Sequence, residues 1–140
     1  MSPVISQFCA LYSQFGPESL VGLSDVYSDE VVFEDPAHRL VGLTSMTAYF
    51  EGMLANTKQC SFIIEHVVEQ QGNAFVSWTM TFSHPKLKSG QLISVPGVSH
   101  LKFTELVDFH RDYFDMGEMI YEQLPLLGTV IRQIKARLAV

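Results

Sequence analysis

Residues Leu101 to Asp115 read LKFTELVDFHRDYFD. Apolar residues on either side of Thr104-Glu105-Leu106 predict two strand segments joined by a short turn. The final six positions, His110-Arg111-Asp112-Tyr113-Phe114-Asp115, bring together two carboxylates, a guanidinium and two aromatic rings. A strand that only fills a core has no need of that set. Side chains alternate across a strand, so Val107, Phe109 and Tyr113 share one side with Arg111. Asp108, His110, Asp112 and Phe114 take the other. The pattern is best met if both faces are covered, one inside a pocket and one against a second subunit. A homodimer through the sheet is the expectation.

The strands before it support a sheet with unlike sides. Ala74, Val76, Trp78, Met80 and Phe82 alternate with Ser77, Thr79, Thr81 and Ser83, the mark of one apolar and one polar face. In Cys60–Gln70, Phe62, Ile64, His66 and Val68 alternate with Ile63, Glu65, Val67 and Glu69. Gln91–Phe103 carries Pro96-Gly97 in its middle, which predicts a bulge or bend that would curl the sheet.

Upstream, Ser2-Pro3 opens a helix whose stripe is Val4, Ile5, Phe8, Leu11, Tyr12 and Phe15, and Gly16-Pro17 stops it. A second helix directs Leu20, Val21, Leu23 and Val26 inward. A turn at Tyr27–Glu30 precedes a short strand at Val31–Asp35, ended by Pro36, with a return strand near His38–Gly42. Thr44 is placed to cap a third helix reaching Asn56. After Gly117 a helical tail runs to the end. Helices on one face of a bent antiparallel sheet predict an α+β cone, one domain over residues 1–140 with 117–140 as its tail.

The chain has 140 residues, enough for one real core. Its 47% apolar content argues against disorder, and its 10 phenylalanines can line a cavity. A net charge of −6 argues against a nucleic-acid surface. No apolar run is long enough to span a membrane, and no basic segment precedes Arg39, so a cytoplasmic protein is expected. The histidines are scattered and no phosphate loop is present, so no metal or cofactor is expected. Cys9 and Cys60 read as small buried residues.

Three segments resemble the nuclear transport factor 2-like superfamily, in its SnoaL-like and ketosteroid isomerase-like branch. Tyr27-Ser28-Asp29-Glu30-Val31-Val32-Phe33-Glu34-Asp35-Pro36 looks like the ketosteroid isomerase segment that carries the proton-shuttling aspartate, which falls on Asp35. The oxyanion tyrosine of that enzyme falls on Tyr12, and its protonated aspartate on Ser99. Phe103-Thr104-Glu105 and Arg111-Asp112-Tyr113-Phe114-Asp115 look like the end of limonene epoxide hydrolase, whose catalytic aspartate falls on Asp112. Its arginine and second aspartate fall on Trp78 and Met80, and its water-holding pair on Phe33 and Asp35. Val95-Pro96-Gly97-Val98-Ser99 looks like the usual SnoaL-like strand. The resemblance implies a cone with a roll-like sheet and a pocket for a small apolar molecule. It does not select a reaction, because the fold hosts many.

The candidate site is therefore Asp35, Asp112 and Tyr12 for chemistry, with Phe33, Phe50, Trp78, Met80, Ser99 and His110 around them. A desolvated carboxylate can take a proton from a carbon beside a carbonyl. Each residue also has a plainer reading. Asp35 before Pro36 is a common turn starter. Asp112 can pair with Arg111, Arg39 or a partner subunit. Tyr12, Trp78 and Met80 can be core, and His110 an ordinary buried histidine. The three functions left open are a cofactor-independent isomerase, cyclase or hydratase, a binding module, and a structural dimer.

Overall fold

The computed structural model describes residues 1–57 and 59–139. Helix α1 spans Pro3–Ser13 and α2 Ser19–Val26. Strand β1, Tyr27–Glu34, pairs with the short β2, Arg39–Val41, and α3 covers Leu43–Asn56. Strands β3 (Gln59–Gln70), β4 (Asn73–Ser83), β5 (Ile93–Phe103) and β6 (Val107–Phe114) follow, and the tail forms α4 (Met116–Met119) and α5 (Pro125–Leu138). The six strands make one unclosed sheet in the order β2-β1-β6-β5-β4-β3. The α+β architecture is the one the patterning implies.

The sheet is mixed rather than antiparallel throughout, because β1 runs parallel to β6. A helix and four strands separate the two in sequence, and a connection that long can return in either direction. Side-chain alternation carries no information on direction.

Two bulges decide which side chains face inward. On β6, Lys102 pairs with Phe109 and Phe103 with Val107, so Asp108 is an extra residue. Val107 and His110 therefore both point into the core, while Phe109, Arg111 and Tyr113 lie on the outer face. On β3 the register shifts between Ile64 and His66. Past that point Val67 takes the inner side, and His66 and Val68 are exposed. The bulge expected at Pro96-Gly97 is absent: Trp78 pairs with Gly97 and Thr79 with Pro96 in unbroken register. Pairing between β5 and β6 ends at Gly97 and Phe114, so Pro96 has a neighbouring strand on one side only. Gly97 has a different purpose, since a Cβ there would run into the Trp78 ring.

Smaller corrections have local causes. Tyr27–Glu30 is the first half of β1, not a turn. Val21 is 85% exposed, because it lies two residues from the buried Leu23 and so on the far side of a short helix. Gly42, at φ 95, takes the N-cap of α3 in place of Thr44. The β3–β4 hairpin closes through Gln71-Gly72, both at positive φ, as a two-residue turn requires.

The core lies between the inner sheet face and α1 to α3, and includes Ile5, Phe8, Leu23, Met46, Val76 and Leu101. Helix α5 seats Gly128 and Lys135 against Glu122 and leaves Leu126, Val130, Ile134 and Leu138 exposed. Among the described residues no helix is long and apolar enough to cross a membrane.

Candidate active site

Asp35 and Asp112 line the same cavity. Its enclosed volume is about 50 Å³, room for one or two waters or a single functional group. Its wall holds every residue singled out from the sequence: Tyr12, Phe33, Phe50, Trp78, Met80, Ser99 and His110 besides the two acids. Tyr49, Met53, Met80 and Met119 also border a larger, more open hollow of about 620 Å³. Methionine side chains are flexible, so the partition between the two is soft.

Asp112 stands on β6 opposite Ser99 on β5. Ser99 Oγ donates to Asp112 Oδ1 at 2.5 Å, and Trp78 Nε1 donates to Ser99 Oγ at 2.9 Å. Gly97 clears the space over which the indole reaches. His110 Nε2 lies 2.5 Å from the same Asp112 Oδ1. The ring's other nitrogen, Nδ1, is 2.8 Å from the Tyr27 hydroxyl, which is 2.7 Å from the Tyr12 hydroxyl. A buried chain thus links Tyr12 on α1, Tyr27 on β1 and His110 and Asp112 on β6. His110 is 1% exposed and packs at 4.8 Å from Phe33 and 5.6 Å from Phe8, ring to ring. Among the described residues, the polar contacts of Asp112 all fall on Oδ1. They involve neither Arg111 nor Arg39, both of which pair with Glu34 on the outer side.

Asp35 is held otherwise. Its Oδ1 accepts from the backbone N–H of Ala37 at 2.8 Å and of His38 at 2.7 Å, with His38 Nδ1 at 3.2 Å. Its Oδ2 accepts from the Tyr49 hydroxyl at 2.7 Å. Asp35 faces the cavity, is 7% exposed, and has both oxygens engaged. The turn-starting and pocket-lining readings of this residue hold together.

Burial pushes the Tyr12 and Tyr27 phenols well above the usual range, and the charge of Asp112 adds to it. Burial, with the hydrogen bond to Asp35, raises Tyr49 strongly too. All three are hydroxyl groups at neutral pH. Cys60, at the border of the larger hollow, is pushed up to about 11 by burial and is no thiolate nucleophile.

Two polar participants escape a reading of the sequence. Tyr27 sits in Tyr-Ser-Asp-Glu, a turn-like composition, and Tyr49 lies on the apolar stripe of α3. The one available signal for Tyr49 was its place on the buried side of that helix.

Over residues 8–106 the chain matches the family model of the SnoaL-like domain, and it belongs to that family. No curated protein matches it. Its fold is similar to that of an NTF2-like protein of unknown function from Burkholderia pseudomallei. That pair has 16% identity and a TM-score of 0.75, covering 85% of this chain and 95% of the other. It is also similar to a protein with a ketosteroid isomerase-like fold from Catenulispora acidiphila, in complex with trimethylamine. There the values are 14%, 0.73, 89% and 96%. TerC, co-crystallised with polyporic acid, is similar at 15% identity and a TM-score of 0.70, covering 81% and 92%.

Proposed function

We propose that this protein binds a small apolar molecule carrying a carbonyl group and moves a proton on it, with Asp112 as the base and no cofactor. One observation carries the reading. Asp112 has one oxygen held by Ser99 and His110 and the other without a protein partner among the described residues, in a wall that lines the cavity. In the step, that free oxygen takes a proton from the carbon beside the carbonyl. The C–H electron pair moves into the enolate, Tyr12 steadies the enolate oxygen, and Asp112 returns the proton to another position of the same molecule. The apolar body of the ligand rests in the larger hollow. The SnoaL-like family, the neighbour in complex with trimethylamine and TerC co-crystallised with polyporic acid support a small-molecule ligand.

The test is hydrogen exchange at the α-carbon of 1-indanone in deuterated buffer, followed by NMR. The full chain accelerates exchange and Asp112→Asn does not. Equal rates in the two proteins would remove Asp112 from the chemistry.

A binding module without turnover is the second reading. The lining favours it: Trp78 and Met80 stand where the resemblance implies an arginine and a second aspartate, and Ser99 where it implies a protonated aspartate. Under it, Asp112→Asn weakens 1-indanone binding and no exchange occurs.

The outer sheet face supports pairing of two copies. Tyr113 is 55% exposed there, and Phe75, 45% exposed, stacks on His100 at 4.4 Å. Ser77 Oγ and Arg111 Nε, on the same face, are buried without a partner among the described residues. Phe75→Glu shifts the chain from dimer to monomer in sedimentation on this reading; an unchanged monomer in the wild type would end it.

A further inference from the structure

Each hydroxyl in the buried chain has one proton to give, so the direction of every bond follows from its neighbour. The Trp78 N–H can only donate, which leaves Ser99 to give its proton to Asp112 Oδ1. With Asp112 ionised, His110 Nε2 approaches that oxygen as an N–H donor. In a neutral ring Nδ1 is then bare and accepts the Tyr27 proton. Tyr27, its proton used, accepts from Tyr12. Tyr12 is left with lone pairs only for the cavity. A second proton, placed on Nδ1, reverses two bonds at once. Nδ1 donates to Tyr27, Tyr27 donates to Tyr12, and the Tyr12 hydroxyl is free to donate into the cavity.

We propose that His110 and Tyr27 are positioning residues that set which ligand group Tyr12 takes: a hydrogen-bond donor when the imidazole is neutral, a carbonyl oxygen when it carries its second proton. This rests on the proton-transfer reading above and sharpens its substrate class. A ketone polarised at Tyr12 while Asp112 removes its proton needs the second state. A ligand that offers donors to both walls needs the first. The groups that face His110 confine the exchange to this chain. Tyr12 comes from α1, Tyr27 from β1 and Asp112 from β6; Phe8, Phe33 and Leu101 also adjoin it and carry no charge. Asp35 and Tyr49, on the same cavity wall, are bonded to each other and to the Ala37-His38 turn.

Two bicyclic probes of similar size separate the states: 1-indanone, which only accepts, and indole, which only donates. Nitrogen-15 NMR of the histidine-labelled chain gives the tautomer of His110 and its titration midpoint. The neutral ring is expected to carry its proton on Nε2. Above the midpoint, 1-indanone affinity falls about tenfold per pH unit, because its binding takes up the second proton. Indole affinity does not fall. In Tyr27→Phe the chain is cut, and 1-indanone binding no longer follows the midpoint. A neutral ring protonated on Nδ1, or a 1-indanone affinity equal on both sides of the midpoint, overturns this proposal and leaves the proton-transfer reading standing. Failure of both probes to bind at millimolar concentration overturns that reading as well. Should Tyr27→Phe not fold, the wild-type pH series alone decides.

Discussion

Asp35 and Asp112 line one cavity, yet they are bound into the protein in opposite ways. Asp35 belongs to a turn, and two backbone N–H groups of that turn and the Tyr49 hydroxyl of α3 occupy both of its oxygens. Asp112 belongs to a strand, and its two donors share one oxygen. The difference teaches that lining a pocket does not make a carboxylate available. A turn offers convergent backbone N–H groups, and a carboxylate placed there is consumed by them. A strand uses its own N–H groups in the ladder, so an inward side chain meets only what neighbouring strands present. That is why, among the described residues, the acid on β6 keeps an oxygen free.

The comparison is broken most easily at Asp112. Asp112→Asn should cut exchange of 1-indanone by about 10²–10⁴-fold, the usual worth of a positioned base. Its melting temperature should stay within a few degrees, since an amide oxygen still accepts from Ser99 and His110. Asp35→Ala should do the reverse. It leaves two backbone N–H groups and the Tyr49 hydroxyl without their acceptor, at a cost of about 2–4 kcal/mol in urea unfolding, with exchange reduced less than tenfold per folded molecule. If Asp35→Ala were stable and inactive, the two roles would be exchanged.

Gly97→Ala should cost about 1–3 kcal/mol, because the added methyl displaces the Trp78 ring that holds Ser99. Exchange should fall with it, which would link packing on β5 to the orientation of Asp112. Tyr49→Phe removes one of Asp35's bonds and should cost about 0.5–1.5 kcal/mol with little change in exchange.

The pH dependence of stability gives the smallest separation. Tyr12, Tyr27 and Tyr49 are all raised above the range of an unfolded tyrosine, near 10. Below that pH both states hold these protons and stability is unaffected. Above it the unfolded chain loses them first, so stability falls as pH rises. The urea midpoint should therefore decline above about pH 10, less steeply in Tyr49→Phe. A midpoint flat to pH 11 would contradict the burial of these hydroxyls.

Much of the fold was legible because it rests on local chemistry. The alternation in β4, the stripe of α1 and the punctuation at Gly16-Pro17 and Pro36 act over a few residues. They imply helices over one face of a sheet, and so an α+β cone. All nine candidate site residues line its cavity; Trp78 and Met80 were legible from the alternation of β4 and Tyr12 from the stripe of α1, whereas Asp35, Ser99 and Asp112 came from the resemblance. The strand directions and the bulges were not legible. Asp108 and Glu65 look like any other polar residue on a strand, and only a partner strand shows that one residue is extra. The parity of His110 and Asp112 therefore stayed open until β5 and β1 were in place.

By itself, then, the order of apolar and polar residues determined the elements, their buried sides and the family of shapes they can build, because burial follows a local period. The tertiary structure alone decided that Tyr12, Tyr27, His110, Asp112 and Ser99 form one hydrogen-bonded chain while Asp35 is closed off by its own turn. Hydrogen bonds act only within about 3 Å, and Tyr27 and His110 stand 83 positions apart. No pattern along the chain encodes a distance across it.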